Sequence, residues 1–165
     1  MIRDPIQELD RPSCLPQELV DSTTFLLGRL GWAIKSRAFD EFEQAGFSPY
    51  HYSVLALLGE GERKTQASIA DTLRVDRSQL VGLLDGLEDR GLVERRRDSS
   101  DRRRHLVSLT PEGKRQLARF RSIVKRIEND FLAPLDDHDR DILHGFLLRV
   151  ARHHDPRFAP AALHG

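Results

Sequence analysis

The sequence predicts a mainly α-helical fold in which a small β hairpin precedes two long C-terminal helices. Three observations support this fold class. Apolar residues recur at three- and four-residue steps over most of the chain, as they do in helices with one buried face. Serine, threonine and aspartate residues, two of them followed by proline, mark helix starts. Residues 92–109 differ, because they form two extended runs around a polar turn.

Length and composition predict one soluble globular unit. The chain has 165 residues, of which 32% are charged and 39% hydrophobic, and its mean hydropathy is −0.49. Its longest apolar run, residues 54–58, is far shorter than the roughly 20 residues that cross a bilayer. No secretory signal is visible, and the single cysteine, Cys14, cannot form an intramolecular disulfide. We therefore expect a cytoplasmic protein without a membrane partner.

The first folded segment is expected to be a long amphipathic helix. Residues 1–16 contain three prolines and are expected to be an arm, as are residues 156–165 at the other end. Between residues 19 and 42, apolar side chains keep a helical period, which predicts one continuous helix. A second helix is expected to begin at Pro49, with Ser48 as its N-cap.

Two short helices separated by a turn are expected next. Thr65 is the expected N-cap of the first helix, and Asp76 is the expected N-cap of the second. Arg77, Ser78 and Gln79 lie on the exposed face of the second helix. Its opposite face carries an apolar stripe of four leucines, namely Leu80, Leu83, Leu84 and Leu87. The two helices together predict a helix-turn-helix.

A hairpin and two longer helices complete the predicted fold. The hairpin comprises residues 92–97 and 104–109, and segment 94–104 carries six arginines and three acidic residues. This local excess of positive charge indicates a negatively charged neighbour, although the whole chain has 26 basic and 26 acidic residues. Helices are predicted over residues 111–133, with Thr110 as the expected N-cap, and over residues 136–153.

The order of these elements predicts a winged helix-turn-helix with a two- or three-stranded β wing. Such a lobe inserts its second helix into the major groove of DNA, while helix N-termini and arginines contact phosphates. Ser78 and Gln79 have short or planar side chains that suit base edges. We predict DNA contacts from Thr65, Gln66, Arg77, Ser78, Gln79, Arg95, Arg102, Arg103 and Arg104. Two alternatives stay open, a solvated basic hairpin and a winged helix that binds protein instead of DNA.

Four segments of this region form a specific pattern. They are FSP at residues 47–49, TQASIA at 65–70, LEDRGLV at 87–93, and DSSDRR with VSLTPEG between residues 98 and 113. Together they resemble the MarR family of bacterial transcriptional regulators, and the resemblance covers about residues 18 to 153. It implies a ligand-responsive DNA-binding regulator, which we expect to be a repressor.

The resemblance implies a homodimer that binds a near-palindromic operator. Residues 17–45 and 111–155 would form the helical dimerisation region, and residues 46–110 would form the DNA-binding lobe. Half-sites would then lie roughly 34 Å apart, one turn of the duplex. Physical reasoning agrees, because three long helices with apolar stripes expose more apolar surface than one small lobe can cover.

The resemblance also implies roles in the wing. Arg103 would enter the minor groove and pair with Asp76, and Asp101 would help to orient the wing. A role of Asp76 as a helix cap alone is the alternative. The sequence departs from the family at Gly82 and Gly86, where relatives often carry basic residues. We therefore expect fewer contacts from this helix and a larger contribution from the wing.

Relatives are commonly released from DNA by small phenolic or lipophilic acids, so the resemblance implies an effector of this class. Candidate lining residues combine aromatic walls with cationic or hydrogen-bonding groups near the junction of the first two helices. They are Trp32, Arg37, Phe47, His51 and Tyr52. The alternative is that the aromatic side chains belong to the core and that Arg37 forms a surface ion pair.

Other chemistries find less support in the sequence. Oxidant sensing through Cys14 is a second mechanism that the resemblance suggests, although only Arg11 lies near it in sequence to activate the thiol. No two histidines have the i, i+4 spacing of a helical metal site. Phosphate loops and nucleophile motifs are also absent. We therefore expect neither an enzyme nor a bound cofactor.

Overall fold

The structure, a computed structural model, describes residues 14–61, 64–98, 101 and 105–159. Within these residues the fold is mainly α-helical with one small antiparallel sheet, as predicted. The helices are Gln17–Val20 (α1), Thr23–Gln44 (α2), Pro49–Leu58 (α3), Gln66–Leu73 (α4), Arg77–Asp89 (α5), Pro111–Phe131 (α6) and Asp137–His154 (α7). The strands are Lys64–Thr65 (β1), Val93–Arg97 (β2) and His105–Leu109 (β3). A 3-10 turn, Pro156–Phe158, follows α7.

The N-terminal helix is interrupted, so the prediction of one helix from residue 19 to residue 42 is wrong at its start. Helix α1 ends at Val20, and Ser22 caps α2 by accepting the backbone N–H of Phe25 at 3.3 Å. A serine that bonds to nearby backbone competes with the helical hydrogen bonds, so the helix restarts here. Periodicity did not reveal the break, because apolar residues continue on both sides of it.

Two predicted threonine caps are confirmed. Thr65 accepts the backbone N–H of Ser68 at 3.1 Å at the start of α4. Thr110 accepts the backbone N–H of Gly113 at 3.0 Å at the start of α6. Each cap gives a partner to a backbone donor that has none within the first turn of a helix. The helix starts that position the winged lobe are therefore encoded locally.

The wing is a three-stranded antiparallel sheet in the order β1, β3, β2. Val107 of β3 lies opposite Lys64 of β1 and Arg95 of β2. The predicted hairpin is confirmed as strands β2 and β3. The third strand of the sheet, β1, comes from the segment just before α4. Strand β2 is an edge strand, so its outward backbone groups need partners from outside the sheet.

The hydrophobic core lies inside the winged lobe and extends to α6. Leu55 of α3, Leu84 and Leu87 of α5, and Val107 of β3 are fully buried. Phe120 of α6 is fully buried in the same cluster. The first half of α6 therefore packs as part of the lobe and fixes the direction in which this long helix leaves it.

The long helices have an apolar face that nothing in the described part of the chain covers. Helix α7 has no buried residue, and α2 buries only Phe42. Large apolar side chains on both helices are more than a third exposed. They are Leu26, Leu27, Leu30, Trp32 and Ile34 on α2, and Ile142, Phe146, Leu147 and Val150 on α7. Even so, no described helix is apolar over enough of its length to span a bilayer.

Candidate nucleic-acid interface

The first turn of α5 presents polar side chains to solvent. Asp76 caps the helix, because its Oδ1 accepts the backbone N–H of Ser78 at 2.8 Å and that of Gln79 at 3.4 Å. The Ser78 hydroxyl also donates to this carboxylate, and these hydrogen bonds, chiefly that from the hydroxyl, lower the pKa of Asp76 below its usual value. Arg77, Ser78 and Gln79 are all exposed. The turn is thus held in place and open to a partner.

A cleft of about 580 Å³ lies between α4, α5 and β3. Three residues predicted to contact DNA, Thr65, Gln66 and Arg77, line it together. His105 of β3 also lines it, and its place directly after the arginine run is the signal that could have identified it. The complete lining is Thr65, Gln66, Ala67, Ser68, Asp71, Arg77, Leu80, Val81 and His105. Both helices of the helix-turn-helix and the wing therefore share one concave surface.

The middle of α5 carries glycine at residues 82 and 86, where the resemblance implies basic side chains. At Gly82 and at Gly86, a Cβ atom would meet no other atom within 4 Å. Packing therefore requires neither glycine. The exposed side chains of α5 beyond its first turn are apolar or acidic, so its basic and uncharged polar side chains, Arg77, Ser78 and Gln79, all lie in that turn.

Arg95 faces α5 instead of solvent. It lies in β2 opposite the fully buried Val107, and its side chain is 22% exposed. Its Nη2 is 2.6 Å from Oδ1 of Asp85, and its Nε donates to Oε2 of Glu88 at 2.8 Å. The hydrogen bond from Arg95 lowers the pKa of the Glu88 carboxyl. Two carboxylates of α5 thus already neutralise a guanidinium for which the sequence predicts a DNA contact.

The remaining wing residues differ in how far the structure places them. Arg102, Arg103 and Arg104 lie outside the described residues, so their contacts, including a pairing of Arg103 with Asp76, stay predictions. Asp101 is partly buried. Arg96 lies on the face of β2 opposite Arg95, where it is 65% exposed and pairs with Glu94 at 3.0 Å.

Three of the five candidate effector residues form one aromatic group at the junction of α2 and α3. The ring centroid of Phe47 is 5.7 Å from that of His51. Phe120 of α6 joins them, with its centroid 4.9 Å from Phe47 and 6.4 Å from Tyr52. Burial lowers the pKa of His51, and the positive charge of Arg90 lowers it further. The group therefore connects α3 to α6 and stands close to a cation.

That cation, Arg90, is a residue that the sequence did not single out. It follows the last residue of α5, and its guanidinium lies 4.3 Å from the ring centroid of Phe47. It also donates to the carbonyl of Gly46 at 2.7 Å across a separation of 44 residues. No local pattern marks such a contact. The C-terminal end of α5 therefore touches the aromatic group directly.

The other two effector candidates lie apart from this group. Trp32 is 66% exposed on α2, and Arg37 donates to Asp130 of α6 at 2.6 Å, which is the surface ion pair given as the alternative.

A cavity of about 610 Å³ lies between α2, α6 and α7. Its lining residues are Leu27, Leu30, Gly31, Ile34, Lys125, Glu128, Phe131, Leu132, Asp137, Arg140, Asp141, Leu143, His144 and Leu147. None of the five candidates lines it. Cys14, the candidate redox residue, is exposed ahead of α1.

The capped helix, the cleft beside it and the wing define a winged helix-turn-helix DNA-binding protein. The model of the MarR family matches residues 45–104, which include most of this lobe. A relative from Thauera aromatica, described as a putative transcriptional regulatory protein for hcr operon, is 33% identical over 135 residues, covering 77% of this chain and 81% of that protein. The chain belongs to the MarR family of transcriptional regulators.

Solved structures of CouR extend this comparison to the whole fold. CouR from Rhodococcus jostii RHA1 bound to p-coumaroyl-CoA is 34% identical, with a TM-score of 0.67 over 82% of this chain and 96% of that one. The transcriptional repressor CouR bound to a 23-mer DNA duplex is also 34% identical, with a TM-score of 0.73 over 85% of this chain and 100% of that one. These relatives are regulators, which points away from an enzymatic activity.

Proposed function

We propose that the protein is a homodimeric repressor that binds a near-palindromic operator and releases it when a small aromatic or lipophilic acid binds. The observation that carries the proposal is the first turn of α5, which is capped by Asp76 and exposed beside the cleft. The similarity to CouR, solved as a repressor on a DNA duplex, supports it. Each of the three parts of the proposal rests on a different surface of the chain.

The first part is the reading of DNA. Helix α5 enters the major groove, where Ser78 and Gln79 meet base edges. Thr65, Gln66 and Arg77 line the cleft next to this turn and contact phosphates. The wing arginines Arg102, Arg103 and Arg104 contribute positive charge at the neighbouring minor groove. Because α5 offers few contacts beyond its first turn, much of the affinity comes from the wing.

The second part is a twofold dimer through α2 and α7. Phe146 and Val150 of α7 are 54% and 51% exposed, and Leu30 of α2 is 52% exposed. Full burial of one such side chain contributes roughly 1.5–3 kcal/mol, so a surface of several is unfavourable in water. A second copy covers this surface by symmetry. It also places the two α5 helices about 34 Å apart, one turn of B-DNA.

The third part is an acid effector at the aromatic group. Phe47 and Tyr52 supply apolar walls, and His51 supplies a hydrogen-bonding group. Arg90 adds the positive charge that an acid requires. CouR has been solved with an aromatic acyl thioester, which supports this ligand class. An anionic aromatic ligand competes for Arg90 and thereby disturbs the end of α5.

Selection of bound sequences from random duplex DNA tests the first two parts. We expect a near-palindromic consensus whose half-sites are about ten base pairs apart, with two chains per duplex by analytical ultracentrifugation. A stable single-chain species, or no retention on duplex DNA at low salt, would contradict them. A panel of aromatic acids and thioesters then tests the effector. Release of the selected duplex is expected; if no compound releases it, the effector part alone is wrong.

A further inference from the structure

We propose that Arg95 is a positioning residue for DNA binding. It fixes the wing against α5, the helix proposed to enter the major groove, without contacting DNA itself. The inference rests on the proposed DNA binding. It concerns the ion-paired cluster of Arg95, Asp85 and Glu88 at the side of the sheet. Strand β2 continues for two residues beyond Arg95, to Arg97, so an orientation that is set at Arg95 also sets the direction of the end of the strand.

One carboxylate holds both the main chain and the side chain of Arg95. Oε1 of Glu88 accepts the backbone N–H of Arg95 at 3.2 Å, and Oε2 accepts Nε at 2.8 Å and Nη2 at 2.5 Å. Strand β2 is an edge strand, and the bond to Glu88 supplies this backbone N–H with a partner from outside the sheet. Charge-assisted hydrogen bonds to a rigid guanidinium are directional, so Glu88 fixes the strand in angle as well as in distance.

A second carboxylate of the same helix completes the cluster. Asp85 precedes Glu88 by three residues, so both project from one side of α5. Its Oδ1 is 2.6 Å from Nη2 of Arg95. Two negative charges therefore surround one positive charge, and a DNA phosphate that approached Arg95 would be repelled by the pair.

The two neighbouring arginines of β2 show the contrast directly. The side chain of Arg95 is 22% exposed and points to α5, whereas that of Arg96 is 65% exposed on the opposite face. Arg96 pairs only with Glu94 of its own strand among the contacts described, so it links β2 to no helix. Arg96→Gln therefore removes the same charge as Arg95→Gln without breaking the link between wing and helix.

The test measures affinity for a duplex selected with the unsubstituted protein, by fluorescence anisotropy between about 50 and 200 mM salt. Arg95→Gln is expected to weaken binding about tenfold or more with an unchanged slope of log affinity against log salt, because no phosphate contact is lost. Arg95→Lys is expected to bind equally poorly, since a single ammonium group cannot replace the planar fork. Arg96→Gln is expected to lose less affinity than Arg95→Gln.

Glu88→Gln changes DNA affinity in opposite directions under two explanations, the simple loss of a negative charge near DNA and the loss of the link between wing and helix. Removing an acidic group near DNA ordinarily strengthens binding, whereas loosening the wing weakens it. We expect a loss of threefold or more for Glu88→Gln, and no loss for the matched control Glu94→Gln on the outer face. Circular dichroism melts show whether each variant is folded, and Glu88→Gln keeps the test open if Arg95→Gln is not.

Three results would overturn the inference. The first is a slope of log affinity against log salt that is flatter by about one unit in Arg95→Gln, together with rescue of binding by Arg95→Lys. The second is stronger binding by Glu88→Gln. The third is an equal loss of affinity in Arg95→Gln and Arg96→Gln. The first result would make Arg95 a phosphate contact. Failure of the unsubstituted protein to bind any duplex would instead contradict the proposed function, so the two failures are distinguishable.

Discussion

In the winged lobe, Leu84, Leu87 and Val107 are fully buried by neighbours in the same chain, whereas Phe146 and Val150 of α7 are about half exposed. Both regions carry large apolar side chains at a regular spacing, but only those of the lobe are buried by other residues of the same chain. The lobe is therefore expected to fold on its internal contacts. The long helices depend on a surface from outside, which the proposed dimer supplies.

This difference separates two kinds of mutational effect. Truncation in the lobe should lower the free energy of unfolding, because it leaves a cavity among fixed neighbours. Truncation on the α2/α7 face should leave the lobe intact and weaken the association of two chains. Four predictions examine this separation and its consequences for DNA binding, in order of decreasing effect.

Phe120→Ala is expected to have the largest effect, a loss of about 3–5 kcal/mol in the free energy of unfolding. Phe120 is fully buried, and its ring centroid lies 5.1 Å from Phe42 and 4.9 Å from Phe47. Urea denaturation at a fixed protein concentration measures the loss. A change of less than about 1 kcal/mol would mean that α6 is not part of the lobe core.

Phe146→Ala is expected to weaken dimerisation about tenfold or more, equivalent to about 1.4 kcal/mol. The side chain is 54% exposed in the single chain, so its truncation leaves no cavity there. Sedimentation over a range of protein concentrations measures the equilibrium. Val81→Ala is the control, since Val81 is 44% exposed on α5, outside the proposed dimer surface. Equal effects of the two variants would contradict the assignment of this face.

The same division explains which parts of the fold the sequence predicts. Caps at Thr65, Asp76 and Thr110 depend on neighbours within three residues, so they are visible in the sequence and confirmed in the structure. The break at Ser22 is also local, but a single serine within a continuous apolar period cannot be identified as a cap from the sequence. Local chemistry therefore predicted the elements well and one boundary poorly.

Gly82→Arg is expected to raise affinity for every duplex and to steepen the salt slope by about 0.9, the change for one added phosphate contact. The position is exposed, with open space where the Cβ would be. Gly82→Ala is the matched control. It should stabilise α5 by about 1 kcal/mol without changing the salt slope. An unchanged slope in Gly82→Arg would place this part of α5 away from the DNA backbone.

The candidate site was less predictable than the fold, because its contacts join distant parts of the chain. Arg95 shares a strand face with the buried Val93, so alternation along β2 contained a signal that it points inward. Arg90 gave no such signal, since its contact with Phe47 depends on the packing of α5 against α3. Trp32 and Tyr52 lie on helices that the sequence identifies, but periodicity indicates which face of a helix is buried and not which residues that face contacts.

The smallest expected effect is a loss of stability on mild acidification that originates in the lobe. Burial and the charge of Arg90 hold the pKa of His51 below its usual value near 6.5. The unfolded chain therefore binds a proton at a higher pH than the folded chain does. The contribution of neutral His51 to stability is complete above about pH 6.5 and is lost as the pH falls from there towards its folded pKa.

His51→Gln should reduce this pH dependence. Nδ1 of His51 accepts the backbone N–H of Ser48 at 3.0 Å, and the glutamine carbonyl retains an acceptor without titrating. Thermal midpoints between about pH 7 and pH 5 should fall by a few degrees in the unsubstituted protein and by less in the variant. An equal fall of the thermal midpoint in His51→Gln would mean that the pH sensitivity does not originate at His51.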